Sequence, residues 1–335
     1  MKATSFTPIS IVMTVHDQAQ ELSRNLPLLL GMNYEPGFEV IVVDESSTDD
    51  TEDVLKQLKA TYPHLYTTYI PESSHYLSRR KLALTLGVKA AKNEWIILTE
   101  ADCHPDNDNW LEVVSEQMTD DVDVVCGYTG YEAGTKATYA YLRMYTWWRQ
   151  QKRPYRYDGA NLAIRKSVFM ERNGFQQNLK YRRGEYDFLV NEADCDRITT
   201  VKTAEGLLRQ EEPTRKSWKS MQLFYMETRR HLHHALWQRM LFAGMQLLRH
   251  ASYWLVIAAL AYSIMIHNTL YIAVLAAILL LLIAQNTFFG YRLTKTYGEH
   301  IALWKMPLLD LWVAWHYAHY QLKYLFADKS DFIRK

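Results

Sequence analysis

Two short acidic segments carry residue types that could bind a nucleotide and a divalent cation. Residues 44–51 read Asp-Glu-Ser-Ser-Thr-Asp-Asp-Thr directly after an apolar run, where a carboxylate can accept hydrogen bonds from a base or a ribose. Residues 100–105 read Glu-Ala-Asp-Cys-His-Pro. Two carboxylates two positions apart can reach one cation, and Mg²⁺ and Mn²⁺ prefer oxygen ligands from carboxylates and substrate phosphates. Either segment alone could be a loop with helix-capping residues, but their joint occurrence favours a binding site.

The residues around these segments alternate between short apolar runs and amphipathic stretches. Strands are predicted at residues 9–15, 38–43, 65–70 and 95–99, and helices at residues 21–32, 52–61 and 78–91. This alternation predicts an α/β fold with a parallel sheet and helices on both faces. Because ligands bind at the carboxyl ends of the strands in such sheets, the chemistry is expected just after Val15, Val43 and Thr99.

Composition and charge argue against several classes of protein. The 335-residue chain is 48% hydrophobic and 22% charged, unlike a disordered or low-complexity protein. Its 38 basic and 37 acidic residues give a formal net charge of +1, so no nucleic-acid partner is expected. The three cysteines lack Cys-x-x-Cys spacing, which disfavours a disulfide framework or a cysteine zinc site and fits a reducing compartment. Residues 1–8 lack the pattern of a secretory signal.

Two uncharged apolar runs in the C-terminal part of the chain predict a transmembrane helical hairpin over residues 251–289. The run at 270–289 is long enough to cross a hydrocarbon core of about 30 Å as a helix, and the run at 251–266 is slightly shorter. Basic residues flank the hairpin on both sides, and its short link contains no Lys or Arg. The positive-inside rule therefore predicts a protein of the cytoplasmic membrane with its N-terminal region in the cytoplasm. A buried hairpin in a soluble core is the alternative.

The segments that flank the hairpin are expected at the membrane surface, with membrane lipids as partners. Residues 231–250 are interpreted as a basic juxtamembrane helix, since basic residues are attracted to anionic headgroups. Residues 290–335 are rich in the aromatic residues typical of headgroup level, which predicts an interfacial amphipathic region. A third membrane span over residues 303–326 is the alternative. Residues 1–230 then form the predicted α/β domain.

Five segments, in order along residues 9–230, carry a resemblance to a known family. They read IVMTVHDQAQELSRNLPLLL, VIVVDESSTDDTEDVL, KLALTLGVKAAKNEWIILTEADCHP, GANLAIRKSVFMERNGF and GEYDFLVNEA. Together they resemble family 2 glycosyltransferases of the membrane-anchored bacterial type, which have the Rossmann-like GT-A fold. The resemblance implies an inverting enzyme that moves a sugar from a nucleotide-diphosphate donor, UDP- or GDP-linked, to a hydroxyl of a lipid-linked or saccharide acceptor.

The resemblance implies roles for the residues at the strand ends. Asp44 matches the first Asp of the family's V-D-D segment and would bind the nucleotide base. Asp102 matches the last Asp of its D-x-D motif and would ligate Mn²⁺ or Mg²⁺. Glu100 stands where the family usually has Asp, and would contact the ribose or the metal. Three further residues in or beside the matching segments are expected to bind the nucleotide: Thr14, His16 and Lys81.

The resemblance also implies a catalytic base and sugar subsites. Glu185 aligns best with the family's general base, and Asp187 is the second choice. Both could instead be acids that stabilise the N-terminus of a helix. The donor-sugar and acceptor subsites are expected to include Asn161, Arg165, Arg215 and Trp218. The last two fall in a partial match to the Q-x-x-R-W motif of processive members, where basic residues could equally be ordinary interfacial ones.

Two other functions stay open on the sequence. Departures from the family pattern at Glu45, Glu100 and Tyr186 would suit a degenerate transferase fold that serves as a membrane scaffold or regulatory subunit. A processive polysaccharide synthase is the other possibility, although two or three membrane segments are too few to line a sugar channel within one chain.

Overall fold

The protein is described by a computed structural model over residues 6–71, 78–233 and 235–332. Its contacts divide the chain into two compact units. The first unit contains the described residues up to Glu132, then Arg149–His233 and the described residues from Ala327 onwards. The second unit contains Ala133–Trp148 and the described residues from 235 to 326. The chain leaves the first unit at residue 133 and re-enters it at residue 149. The expected domain boundaries, with an α/β domain over residues 1–230, stay a prediction.

The strands and helices of the first unit follow one another in an order close to that predicted. The strands are β1 (Ile9–Val15), β2 (Phe38–Asp44), β3 (Leu65–Tyr69), β4 (Trp95–Glu100), β5 (Cys103–Pro105), β6 (Val124–Cys126), β7 (Thr129–Tyr131), β8 (Leu162–Arg165), β9 (Ile198–Thr200) and β10 (Leu208–Gln210). The helices are α1 (Ala19–Leu30), α2 (Thr51–Thr61), α3 (Arg79–Ala90), α4 (Trp110–Ser115), α6 (Lys166–Glu171), α7 (Glu185–Glu192) and α8 (Arg215–Thr228), with α5 (Ala137–Gln150) mostly in the second unit.

Seven strands form the main sheet in the order β3-β2-β1-β4-β8-β6-β9. β1 pairs in parallel with β2 and β4, and β3 extends the parallel part beside β2. The predicted α/β fold is therefore confirmed. β8 runs antiparallel to both β4 and β6, so the sheet is mixed rather than wholly parallel. The carboxyl ends of β1, β2 and β4 meet at one edge of this sheet, which we call the carboxyl edge.

Apolar side chains explain why these elements pack in this way. All seven residues of β1 are buried, as are all of β2 except its half-buried first residue. Near-continuous burial is typical of parallel strands covered on both faces. Helix α1 contributes Leu22, Leu26 and Leu29, whose spacing places them on one helical face against this core. Full burial of one such leucine stabilises the fold by about 1.5–3 kcal/mol.

A second, three-stranded sheet in the order β5-β10-β7 lies beyond β4 in the chain. β10 pairs antiparallel with β5 and parallel with β7. The register sets Gln210 opposite Cys103 and also opposite Tyr131. A residue from late in the chain is thereby fixed beside the acidic segment that follows β4.

The second unit contains the long C-terminal helices α9 (Ala235–Met265), α10 (Thr269–Tyr297) and α11 (Met306–Phe326). Helix α9 is continuous, so it joins most of the expected juxtamembrane helix to the first apolar run; residue 234 lies outside the described residues. By length and composition only, two helices of the described chain could cross a membrane: Leu236–Met265 and Thr269–Tyr297, with mean hydropathies of 1.3 and 2.3. The interfacial position expected for α11 stays a prediction.

Candidate active site

The register of the main sheet brings three predicted site residues to the carboxyl edge. Thr14 pairs with Val43 in β2 and with Glu100 in β4, and Asp44 follows one position later. Neighbouring strands lie about 4.8 Å apart, so these residues occupy adjacent positions along the edge. Thr14 and Asp44 are buried, whereas Glu100 is half-buried. The sequence prediction that these strand ends converge is met by the register.

The loops after β1 and β2 are tied to each other by side-chain hydrogen bonds. Asp44 Oδ1 accepts from the backbone N and the Oγ of Ser47, at 2.9 and 2.6 Å. Asp17, whose φ is +50°, accepts from the backbone N of Thr48 at 2.7 Å, and this bond holds the pKa of its carboxyl below the usual value. His16 is exposed and lies 3.7 Å from Asp17 through Nε2 and Oδ2. Asp17, in the loop after β1, therefore holds this loop against the loop after β2. His16 and Asp44 lie at the start of these two loops.

Asp102 presents a carboxylate at the same edge, two residues beyond the end of β4. Its oxygens Oδ1 and Oδ2 accept from Nε2 of Gln210, at 3.1 and 3.0 Å. Among the described residues no group of three or more His, Cys, Asp or Glu side chains could hold a metal ion. Mn²⁺ or Mg²⁺ is nevertheless commonly bound by one or two carboxylates that substrate phosphates and water complete. A half-buried carboxylate oriented by an amide fits this kind of site.

Glu100, the first acid of the Glu-x-Asp segment, is paired with an arginine. The NH2 group of Arg80 donates to Glu100 Oε1, and the Nε of Arg80 lies 3.9 Å from Oε2 of Glu185. Burial works against the charge of this guanidinium, but Glu100, with further help from Glu185, raises the pKa of Arg80 well above its ordinary value. Burial raises the pKa of the Glu45 carboxyl, and the charge of Arg80 offsets part of that rise. Arg80 thus stands among three acids of the site.

The two candidates for the general base differ sharply in their surroundings. Asp187 accepts from the backbone N of Tyr157 at 2.9 Å and from Thr228 Oγ1 at 3.3 Å, and Arg229 Nε lies 3.6 Å away. Burial raises the pKa of Asp187, and Arg229 opposes that rise. Glu185 is also buried, yet its Oε1 accepts no hydrogen bond from any residue that the structure describes. The Asp187 carboxylate is thus bonded within the fold, whereas one oxygen of the Glu185 carboxylate has no hydrogen-bond partner among the described residues. Which of the two acids is the general base stays a prediction.

Lys81, which was expected to bind the nucleotide, lies in the interior of the first unit, and its role in binding stays a prediction. Its side chain is fully buried, and Nζ donates to the carbonyl oxygens of Asn178 and Tyr181, at 2.7 and 2.6 Å. Burial lowers the pKa of Lys81 to about 8, against the opposing effect of Glu185 and Glu192. The ammonium group is used to hold the segment before α7, so it is the neighbouring Arg80 that reaches the acidic cluster.

Two residues of the expected sugar wall also have other positions. Arg165 pairs with Trp95, the first residue of β4, because β8 runs antiparallel to β4. It therefore lies at the amino end of β4, opposite the carboxyl edge, and it bonds to the carbonyls of Val122 and Thr119. Asn161 is buried and its Nδ2 donates to Gly206 O at 2.9 Å. Both side chains are bonded elsewhere in the fold, and their assignment to a sugar subsite stays a prediction.

Arg215 and Trp218 lie in the first turn of α8. Arg215 is exposed, and Thr214 caps the helix by accepting from the backbone N of Ser217. Trp218 is buried, with its ring 6.4 Å from that of Tyr131 in an edge-to-face arrangement. Since Tyr131 pairs with Gln210, Trp218 supports the strand that orients Asp102. Their assignment to the donor-sugar or acceptor subsite stays a prediction.

Three contributors to the site were missed on the sequence: Arg80, Tyr186 and Gln210. Tyr186 is buried and packs beside Arg80, whose guanidinium carbon is 5.9 Å from the ring centre. Helical phase could have suggested Arg80, since adjacent helical residues point in different directions and only one of Arg80 and Lys81 can face the sheet edge. Gln210 is separated from Asp102 by 108 residues, and no local pattern links them.

Comparisons with known proteins agree with the α/β fold. The profile described as Glycosyl transferase family 2 matches residues 10–177, which is half of the chain. Glycosyltransferase AglE of Haloferax volcanii is 27% identical over 140 residues, covering 40% of this chain and 44% of that protein. The mannosyltransferase PcManGT from Pyrobaculum calidifontis, solved in complex with GDP-Man and Mn²⁺, superposes with a TM-score of 0.54 at 16% identity, over 94% of this chain and 88% of that one.

The parallel strands with acidic residues at their carboxyl edge, together with this superposition, define a GT-A fold. The match over half of the sequence then shows that the chain belongs to glycosyl transferase family 2. The match to the curated relative spans less than half of that relative's length, so the likeness describes the matched part of the sequence.

Proposed function

We propose that this protein is an inverting, metal-dependent glycosyltransferase that moves a sugar from a UDP- or GDP-linked donor to a hydroxyl acceptor. The observation that carries the proposal is the pairing of two unlike carboxylates in one unit. Asp102 is half-buried and held by an amide, whereas Glu185 is buried with one oxygen unbonded by any described residue. One carboxylate suits a metal and the other suits a proton acceptor.

The donor nucleotide would lie along the carboxyl edge between the loops after β1 and β2. Asp44 stands at the end of β2 and is oriented by Ser47, so its carboxylate is ready to accept hydrogen bonds from the base. Thr14 lies in the neighbouring strand β1, and His16 lies in the loop that follows it. Nucleotides bound to other members of this fold class, such as the GDP-Man of the Pyrobaculum calidifontis enzyme, support a nucleotide-sugar donor.

Asp102 would hold Mn²⁺ or Mg²⁺ together with the donor phosphates. When bound, the metal neutralises the negative charge that develops on the departing nucleoside diphosphate. The chain's own contribution is to keep the Asp102 carboxylate in one orientation through Gln210, which is fixed by its pairing between β5 and β7. The Mn²⁺ of the Pyrobaculum calidifontis complex supports the use of a divalent metal.

Glu185 would take the proton of the acceptor hydroxyl. As that proton moves to the free carboxylate oxygen, the hydroxyl oxygen forms a bond to the anomeric carbon, and the bond from that carbon to the donor phosphate breaks on the opposite face. A single displacement of this kind inverts the anomeric centre, as in inverting glycosidases whose base activates water. Glu185 begins α7, where the helix N-terminus stabilises its negative charge before the proton arrives.

A membrane-bound position supports a lipid-linked acceptor at the cytoplasmic face. In the second unit, apolar residues such as Leu255 and Leu281 are 69% and 68% exposed, while Asp310 is buried and bonded to Arg249 and to Tyr141. In a water-soluble protein, apolar residues are mostly buried and charged residues are mostly exposed. The second unit shows the reverse pattern, which is typical of helices in lipid. An enzyme held at the bilayer would meet a lipid-borne acceptor by diffusion in two dimensions.

The substitution Glu185→Gln tests the proposal. Removing the base should lower the rate of sugar transfer by about 10²- to 10⁴-fold, because general base catalysis typically contributes that factor. Binding of UDP or GDP with Mn²⁺ should stay close to that of the wild type. Transfer is measured with a panel of UDP- and GDP-sugars and the purified full chain, and binding by calorimetry.

Asp187→Asn is the matched comparison, since it removes a neighbouring acid of the same helix. It should lower thermal stability while leaving a measurable rate of transfer in the folded fraction. A wild-type rate of sugar transfer by Glu185→Gln would show that another residue is the general base. A wild-type protein that transfers no sugar and binds no nucleotide would favour a degenerate transferase fold that serves as a membrane scaffold, and long products would favour a processive synthase.

A further inference from the structure

Arg80 links two acidic residues that come from different elements of the carboxyl edge. It lies in the first turn of α3, between Glu100 at the end of β4 and Glu185 at the start of α7. Its NH2 group bonds to Glu100, and its Nε is 3.9 Å from Glu185 Oε2. The side chain of Arg80 is only 21% exposed, so the pair is shielded from bulk water.

The position of Glu185 requires a nearby positive charge. Its side chain is 7% exposed, and within residues 6–71, 78–233 and 235–332 no group donates a hydrogen bond to Oε1. An ionised carboxylate in such surroundings is strongly disfavoured unless a cation compensates it. Arg80 forms an ion pair with the other oxygen of the same carboxylate.

Arg80 is itself held in one place. Glu100 bonds to its NH2 group, and the ring of Tyr186 lies 5.9 Å from its guanidinium carbon. A glutamate at position 100 has one methylene more than an aspartate, which lets it extend from the strand end to the guanidinium. The unusual first acid of the Glu-x-Asp segment is thereby explained by its arginine partner.

The same turn of α3 fixes the backbone that leads into Glu185. Lys81, next to Arg80, donates to the carbonyls of Asn178 and Tyr181 a few residues before Gly184. Two adjacent side chains of α3 therefore act on α7, one on the preceding backbone and one on the first carboxylate. Charged and titratable groups around this pair come from several elements: Glu45, Lys81, Glu100, Arg183 and Tyr186.

We infer that Arg80 is a positioning residue of the transferase, which orients the Glu185 carboxylate for accepting the hydroxyl proton. In this arrangement Glu100 serves to hold Arg80, and the metal is left to Asp102. The inference rests on the proposed function, since it assigns a residue to the same reaction.

The test compares Arg80→Gln, Arg80→Lys and the control Lys89→Gln in the full detergent-solubilised chain. Lys89 is an exposed lysine in the last turn of the same helix. We measure kcat, the donor KM, and the affinity for UDP or GDP with Mn²⁺. Arg80→Gln should lower kcat by about 10- to 100-fold while the donor KM stays close to that of wild type, because the carboxylate loses the cation that orients it. Nucleotide affinity should change by less than about threefold.

Arg80→Lys retains a positive charge and should restore most of kcat. A tenfold or greater loss of nucleotide affinity in Arg80→Gln would place Arg80 on the donor phosphates and overturn the inference. Equal loss of kcat in both variants would overturn it in favour of a purely structural role. If Arg80→Gln does not fold, Arg80→Lys decides by the same two measurements.

The substitution Glu100→Gln tests whether Glu100 holds Arg80 or binds the metal. Its metal-dependent nucleotide affinity should stay within about threefold of wild type, while kcat falls in the same direction as in Arg80→Gln. A large loss of metal-dependent affinity would put Glu100 on the metal and contradict that part of the inference. Because wild type and Lys89→Gln are assayed alongside, an inert wild type would overturn the proposed function, whereas an active wild type with unaffected Arg80 variants would overturn the inference alone.

Discussion

At the residue scale, Lys81 shows how burial changes the properties of a side chain in this fold. The folded protein lowers its pKa from 10.5 to about 8, mainly through burial, and the neutral amine can still donate to both carbonyls. Between pH 8 and pH 10.5 the unfolded chain therefore binds more protons at this residue than the folded chain does. Stability contributed by this residue rises with pH through that interval, and the burial penalty is fully present below it.

Lys81→Met tests this linkage. The free energy of unfolding of wild type relative to the variant should increase as the pH is raised from about 8 towards 10.5, since methionine has no proton to lose. Thermal unfolding of both proteins at several pH values gives this difference, and Lys89→Met serves as the exposed control. A difference that stays constant or falls over this interval would contradict the account of a buried, deprotonated amine.

The sequence predicted those residues of the candidate site whose positions depend on nearby residues in the chain. Asp44, Glu100 and Asp102 follow strands directly, so strand prediction placed them at one edge, and the register agrees. The surroundings of Lys81 and Arg165 could not be predicted, for two different reasons. Lys81 depends on helical phase, which a motif match does not give, and Arg165 depends on a strand direction that local patterning cannot reveal.

At the element scale, the turn before α7 sets the position of the proposed base. Gly184 precedes the helix with φ of +98°, which L side chains rarely adopt, and a Cβ at this residue would lie 2.6 Å from Thr228 Cγ2. Thr228 in turn bonds to Asp187. The glycine therefore lets α7 approach the end of α8 closely enough for both acids to keep their places.

Gly184→Ala should destabilise the fold by about 1–3 kcal/mol through backbone strain, with a further loss from the contact with Thr228, and should lower kcat because Glu185 moves. Gly37→Ala is the matched control: its φ is +85°, but a Cβ there meets nothing within 4 Å. That control should show the strain alone and retain the wild-type kcat in the folded protein. Equal stability and equal kcat for the two variants would refute the close-approach argument.

Element order and the parallel strands were predictable because their signals are local: apolar runs for strands and helical spacing for helices. The reversal of β8 and the pairing of β5, β7 and β10 were not, since three- and four-residue strands carry almost no pattern. Gln210 reaches Asp102 only through that small sheet. The same lack of pattern explains why this partner of the proposed metal ligand was missed.

At the scale of the whole molecule, the membrane prediction depends on α9 and α10. Leu281 lies in the middle part of α10, is 68% exposed, and has no charged residue nearby in sequence. Leu281→Arg should weaken insertion by about 2.5–3.5 kcal/mol, the usual effect of an arginine at the centre of a membrane helix. Leu281→Phe, which keeps the site apolar, should behave as wild type.

Membrane retention is measured as the fraction of expressed chain that stays with carbonate-washed membranes. We expect wild type and Leu281→Phe in the membrane fraction and a shift of Leu281→Arg into the soluble or aggregated fraction. Wild-type protein that is released into the wash without detergent would contradict a transmembrane hairpin and favour buried helices of a soluble protein. The division of the chain into two units was only partly predictable, because residues 133–148 carry no uncharged run that would mark them as partners of the C-terminal helices.

The most direct measurement is a calorimetric titration of UDP and GDP into wild type and Asp102→Asn, each with Mn²⁺ and with a chelator. The account predicts that one of these nucleotides binds wild type with Mn²⁺, and that the chelator or Asp102→Asn weakens this binding by about tenfold or more, since the carboxylate supplies the chain's metal ligand. The chelator should then have little further effect on the variant. Nucleotide binding that is the same in both proteins and insensitive to the chelator would contradict the account.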